Sequence, residues 1–454
     1  MSISKIAGVL FVVVLVLVAL VFATRRPAVE KNIDPAAATP PAIAPPAEEG
    51  AAEDGPGFLY GRITSNTGVI HEGRLRFGVG QEAFWGDYFN GVKKENPWST
   101  QAPPERLPKE RTSIELFGLK IANREHPSDL GRRFMARFGD VARVEARGRD
   151  VRVTLKSGTV FDLNRFDASD FDDGVRVWDA RGVVDLDSLQ IGAIEFLPTA
   201  RLGAVPDRLY GTVRTKQGEF TGFVQWDRDE CVGTDELNGR TDEGEVSLRF
   251  DTIRSIARRS DDGSLVTLLE GREMVLSGTN DVNRGNRGIS VDDSRFGRVV
   301  VSWEVFERVD FSPGGSGPAY GEFPPGQPLR GSVTTRDGRR LAGRLVYDLD
   351  ESETTETLDA PSQGVDFTIP FGLIASIVPP GGEDPDAPRA RVVLHGGALL
   401  QPEPEGDLGK GNAGMLIFVE GAPRPEYVPW SDVGQVEFDH PTAMYPPLGL
   451  RHGD

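Results

Sequence analysis

The chain has 454 residues, which at roughly 150 residues per domain gives a loose expectation of about three domains. Its formal net charge of -18 repels phosphate backbones and anionic lipid head groups, so nucleic acid is not expected as a partner. The single cysteine, Cys231, excludes an intramolecular disulfide; with no histidine near it in sequence, a half-buried strand position beside Trp226 is expected rather than a reactive thiol.

Residues 1–5 form a short head before an uncharged apolar run, Ile6 to Thr24. As a helix that run would extend about 28 Å, close to the roughly 30 Å of a bilayer core. It is longer than the apolar region of a cleaved signal and is followed directly by Arg25 and Arg26, so an uncleaved transmembrane helix is expected. Lys5 and the α-amine nearly balance the two arginines. Orientation therefore rests on the short head, which places the body outside the cytoplasm and the anchor in a bacterial inner membrane. Residues 25–57, rich in Pro, Ala and Glu, read as a disordered, semi-stiff spacer.

Beyond the spacer one pattern is written three times. Tyr60-Gly61 leads to Gly68, Gly73, Leu75 and Phe77; Tyr210-Gly211 to Gly218, Gly222, Val224 and Trp226; Arg330-Gly331 to Gly338, Gly343, Leu345 and Tyr347. Alternating apolar residues on both sides of Gly68, Gly218 and Gly338 predict β-hairpins that turn there with positive φ. An acidic residue follows each aromatic: Glu82, Glu230 and Glu351. A second block, Phe138/Val141/Val144, Phe250/Ile253/Ile256 and Phe371/Ile374/Ile377, has a spacing of three and predicts a short helical turn leading into a strand. A third block predicts a second hairpin turning at Gly158, Gly271 and Gly397, and each copy closes on Ile191/Ile194/Phe196, Phe306/Val309/Phe311 or Val433/Val436/Phe438. Trp303 and Trp430 open that closing block where the first copy has Ser188.

These blocks predict an all-β body of three tandem divergent modules at 58–198, 208–313 and 328–440, with a Pro/Gly linker at 314–327 and a tail at 441–454. The first module carries a polar insertion near 93–135, expected as a surface loop. The order strand, hairpin, short turn, strand resembles small SH3-like or Sm-like barrels, as barrels or sandwiches with one or two per module. That resemblance concerns the fold and implies no function.

Candidate sites are few. Asp281, Asn283, Gly285 and Asp292 have the spacing of a calcium loop, but Asn286 stands where such a loop needs glycine, and Arg284 and Arg287 add positive charge. A structural turn is therefore expected, with Asp281, Asn283 and Asp292 as the metal candidates; Asp167 and Asp407 are their aligned counterparts of Asp281. The recurring Phe77, Trp226 and Tyr347 read as core. Trp85, Tyr88 and Phe89 have no counterparts in the other copies and are expected to form an exposed binding patch. No cofactor motif is present: the chain has no G-x-S-x-G elbow and no phosphate-cradling loop.

The expected function is a membrane-anchored, non-catalytic envelope protein that binds or scaffolds a protein or polymer partner through tandem surfaces. One alternative is an envelope hydrolase with its site in the first module, near Glu105, His126 and Asp129. Another is a calcium-dependent adhesin.

Overall fold

Alternation of apolar and polar residues with a glycine at the turn favours antiparallel pairing, and strands account for most of the body. The computed structural model describes residues 55–442 except 56, 79, 104, 106–108, 117–118, 128–132, 201–204 and 382–387, and only the backbone of 109–116 and 119–127. The expected membrane helix at 6–24 and almost all of the spacer at 25–57 lie outside the described residues. Among the described residues no helix is long and apolar enough to cross a membrane.

The first segment holds β1 (Tyr60–Ser65), β2 (Ile70–Phe77), β3 (Tyr88–Val92), β4 (Lys109–Leu116), β5 (Leu119–Pro127), β6 (Arg133–Arg137), β7 (Val141–Arg147), β8 (Asp150–Leu155), β9 (Val160–Asn164), β10 (Val175–Asp179), β11 (Gly182–Leu186) and β12 (Ile191–Phe196). The second holds β13 (Tyr210–Thr215), β14 (Gly218–Gln225), β15 (Glu236–Thr241), β16 (Gly244–Arg249), β17 (Ile253–Ser260), β18 (Gly263–Leu268), β19 (Glu273–Ser277), β20 (Ile289–Asp293), β21 (Gly297–Val301) and β22 (Phe306–Phe311). The third holds β23 (Arg330–Thr335), β24 (Arg340–Val346), β25 (Thr357–Ser362), β26 (Val365–Pro370), β27 (Ile374–Val378), β28 (Arg391–Leu394), β29 (Leu399–Leu400), β30 (Met415–Val419), β31 (Glu426–Val428) and β32 (Val433–Phe438).

One strand order occurs in all three segments: β11-β10-β2-β1-β12-β7-β8-β9, then β21-β20-β14-β13-β22-β17-β18-β19, then β31-β30-β24-β23-β32-β27-β28-β29. Both hairpins of a segment thus belong to one sheet, with the closing strand between them. The blocks spaced by three form 3-10 turns at Phe138–Asp140, Phe250–Thr252 and Phe371–Leu373, each running directly into a strand. A register shift recurs at Thr64/Ser65, Arg214/Thr215 and Thr334/Thr335, where the first strand pairs with the closing one.

Cross-strand pairing explains the repeated glycines. Gly61 faces Gly73, Gly211 faces Gly222 and Gly331 faces Gly343. A methyl group on Gly73, Gly222 or Gly343 would overlap the carbonyl of Trp178, Asp292 or Phe418 on the next strand. Paired glycines let neighbouring backbones approach where the sheet bends, which a Cβ would prevent.

The described residues fall in one compact unit, and the segments within it are joined. β21 of the second pairs with β26 of the third, from Arg298↔Thr368 to Val301↔Val365, so the second sheet extends to twelve strands. Beside this joint Phe367 packs its ring 5.8 Å from Phe220 and 5.7 Å from Phe296. One apolar core runs through both segments, from Val213 and Trp226 to Tyr347 and Phe438. The stretch 314–327, expected as a linker, straps the first segment instead. Tyr320 and Phe323 enter that segment's core beside Phe84 and Trp85, and the Tyr320 hydroxyl donates to the Val141 carbonyl at 2.8 Å.

Candidate functional site

The acidic residues of the three segments fall into recurring positions. Immediately before β3, β15 and β25 stand Asp87, Asp235 and Glu356. Each carboxylate accepts two successive backbone N–H groups: those of Glu82 and Ala83, of Cys231 and Val232, and of Ser352 and Glu353. A second set pins the same hairpins. Asp170 accepts the Asn90 N–H at 2.6 Å, Asp281 the Asn238 N–H at 2.6 Å, and Asp407 the Asp359 N–H at 2.7 Å. The first-segment counterpart of Asp281 is therefore Asp170, not Asp167, which is exposed.

The three metal candidates face different partners. Asp281 is held by Asn238, Asn283 accepts the Gly285 N–H at 2.7 Å within its own turn, and Asp292 pairs with Arg298 at 3.0 Å. Among the described residues no three His, Cys, Asp or Glu side chains converge to hold a metal ion. The loop also ties into the core: the Asp281 carbonyl accepts the Trp226 indole N–H at 2.9 Å, just as the Asp407 carbonyl accepts the Tyr347 hydroxyl at 3.0 Å.

Trp85, Tyr88 and Phe89 do not form an exposed patch; they are 2%, 3% and 0% exposed. Trp85 lies under the Arg137 guanidinium and beside Phe323, Tyr88 lies beneath Arg298 of the second segment, and Phe89 packs edge-on to Phe77 and Phe138. Burial pushes the Tyr88 phenol up to about 12. The expectation fails because the 314–327 strap covers Trp85, the second segment covers Tyr88, and Phe89 turns into the first segment's own core.

Three other expectations need correction. The residue aligned with Glu230 and Glu351 is Gln81, since Phe77 bridges to Gln81 as Trp226 does to Glu230 and Tyr347 to Glu351. Glu82 is buried between Arg74 and Arg76, 2.7 Å from each. Cys231 is fully buried and lies outside the strands; its thiol donates to the Gly80 carbonyl of the first segment, and burial among Glu82, Asp87 and Asp235 holds it well above the ordinary thiol range. The insertion near 93–135 is not simply a surface loop. It contains the β4–β5 hairpin, and its start docks on the third segment through Lys93, Asn96 and Trp98. Of the residues considered for a hydrolase, Glu105 is exposed, while the His126 side chain and Asp129 lie outside the described part.

At this docking surface is a cavity of about 710 Å³ between the first and third segments. Strands β3 and β6 supply Val92, Phe134 and Ala136, and Lys93 follows β3; the turn after β24 and strand β25 supply Asp350, Glu351, Thr355 and Asp359. The Lys93 ammonium lies 2.9 Å from both Asp350 and Glu356 and 4.9 Å from the centre of the Phe161 ring. Burial alone would lower its pKa, but Glu356, Asp350 and Glu351 together hold it well above the ordinary value. Burial, with Asp350, Asp407 and Asp348 nearby, holds the Glu351 carboxyl well above the usual carboxylate range. Three buried oxygens lining this space have no hydrogen-bond partner among the described residues: Glu351 Oε2, Thr355 Oγ1 and Asp140 Oδ1. Such a wall can hold cationic or hydrogen-bond-donating groups.

Sequence spacing does not reveal this cavity, because its two walls are more than 200 residues apart in the chain. The one signal it left was the acidic run from Asp348 to Glu356. The histidines include a second long-range meeting: the His395 and His440 rings lie 4.4 Å apart. Compared with known proteins, the chain matches no family model, no curated protein and no solved structure.

Proposed function

We propose that this is a membrane-anchored, non-catalytic envelope protein whose three like β units act as one rigid binding or scaffolding body. On this reading residues 6–24 span a bacterial inner membrane, 25–57 form a spacer, and the units sit outside the cytoplasm. Each unit, taken as 58–198, 208–313 and 328–440, is a divergent copy of one ten-strand plan.

One observation carries the reading: two recurring sets of carboxylates are engaged in building the units. Asp87, Asp235 and Glu356, like Asp170, Asp281 and Asp407, bind backbone N–H groups at matching positions. Repetition has thus preserved a framework. Rigid joining through β21–β26 and the Lys93 ion pairs supports presentation of fixed surfaces, since preorganisation lowers the entropy lost on binding. The adhesin alternative needs Asp281, Asn283 and Asp292 to converge, and their separate partners disfavour it.

The test is a crosslinking pull-down of the full chain from its native envelope, with alkaline extraction and protease accessibility to check anchoring and side. A reproducible protein or polymer partner supports the proposal. Absence of a partner together with turnover in a hydrolase screen overturns it.

A further inference from the structure

We infer that the cavity between the first and third segments binds a small organic cation carrying primary amines, seated on Glu351 with Asp350 and Asp359 beside it. The inference goes beyond the scaffold reading, and either can fail alone.

Acidity is not the basis of the argument, because most of the carboxylates here serve the framework. Glu356 and Asp407 cap backbone N–H groups, and Asp350 pairs with Lys93. Glu351 belongs to another recurring set: Gln81 Oε1, Glu230 Oε2 and Glu351 Oε2 are each buried with no partner among the described residues, and of the three Glu351, 9% exposed, is the one that lines this cavity. Thr355 Oγ1, in a residue 8% exposed, has no partner among the described residues on the same wall. Buried oxygens of this kind normally have donors, and leaving them unmet is costly. A ligand bringing an ammonium would remove that cost: the Glu351 carboxyl, which burial and the neighbouring acids keep protonated, releases its proton to solvent and accepts the ligand's N–H groups.

The ligand class follows from what the site already holds. The Lys93 ammonium lies between two carboxylates with an aromatic face at 4.9 Å, so a primary ammonium is already accommodated in the cavity that Glu351 lines. Val92, Phe134 and Ala136 on the opposite wall would pack the methylenes of an aliphatic amine. A bare divalent ion fits less well, since no three ligating side chains converge among the described residues. A volume of about 710 Å³ lies within the usual range for small-molecule sites, about 300–1,000 Å³.

Segment one supplies a conservative variant. Gln81 occupies the position of Glu351, so Glu351→Gln places there an amide that the same plan already accepts. The test is calorimetric titration of the full-length chain in detergent with spermidine, and with magnesium at matched ionic strength. The expected result is saturable spermidine binding, at least tenfold weaker in Glu351→Gln, and no comparable binding of magnesium. Absence of saturable binding, unchanged affinity in Glu351→Gln, or equal binding of magnesium would each overturn the inference. Should Glu351→Gln not fold, a photoreactive spermidine analogue on the parent chain decides the matter. Labelling within 348–359 or 90–93 supports the site, and labelling confined to other regions removes it.

Discussion

Replacing Lys93 by Met tests whether the joint between the first and third segments depends on a buried charge. The Lys93 side chain is 7% exposed and its ammonium meets Asp350 and Glu356 at 2.9 Å each. Methionine keeps most of the side-chain length, so the change removes charge rather than opening a large void. Removing one partner of a buried ion pair typically costs about 3–5 kcal/mol, because the remaining charge is left uncompensated. Here two carboxylates would be left, beside Glu351. A body of about 400 residues unfolds with an entropy of roughly 0.8 kcal/mol per kelvin, at about 2.1 cal/mol/K per residue. A loss of about 4 kcal/mol then lowers Tm by about 5 °C. Scanning calorimetry of Lys93→Met and of Lys93→Met with Asp350→Asn provides the check. The double variant is expected to recover part of the loss, since one stranded charge has gone. A single variant melting within about 1 °C of the parent would refute the argument that this pair holds the segments together.

Three further predictions follow from buried groups. Burial beside Asp281, with Asp229 and Asp227 adding to it, pushes the Glu230 carboxyl up to about 8 from an ordinary 4.5. The folded chain then holds a proton that the unfolded chain has released between about pH 4.5 and 8, so stability falls as pH rises through that window, by less than about 1.4 kcal/mol per unit because the group is partly solvated. Glu230→Gln should flatten that slope in urea titrations, and parallel curves for parent and variant would count against it. At the β21–β26 joint, Gly297 has a φ of +84°, and a methyl group there would lie 2.5 Å from Pro370 Cδ and 2.6 Å from the Thr368 carbonyl. Gly297→Ala should cost about 1–3 kcal/mol and speed proteolysis near 363–370; unchanged cleavage would show that the joint tolerates the strain. The Cys231 thiol should resist a disulfide reagent in the native chain and react only after denaturation, and rapid native labelling would contradict its burial.

Much of the strand framework was legible in local pattern. The turns at Gly68, Gly218 and Gly338 have positive φ, the Phe-led blocks form 3-10 turns, and the hairpins at Gly158, Gly271 and Gly397 pair as expected. These features depend on side-chain period and on φ at single residues, which neighbours a few positions away decide. Alignment by spacing was less reliable for acidic residues. It paired Glu82 with Glu230 and Asp167 with Asp281, where the backbone registers Gln81 and Asp170. The difference of one or three residues lies within turns, where length drifts without breaking the pattern.

Tertiary structure alone decided what the exposed-looking residues do. Trp85 is buried under the 314–327 strap and Tyr88 under Arg298 of the second segment, while Phe89 packs inside the first segment's own core. Lys93 reads in sequence as an ordinary surface lysine, but its ammonium bonds to Asp350, 257 residues away. Hydrophobic periodicity specifies which face of a strand turns inward. It carries no record of which assembled surface will meet another, because that choice rests on shape and charge gathered from distant parts of the chain. The cavity beside Glu351 exists only where two such surfaces meet.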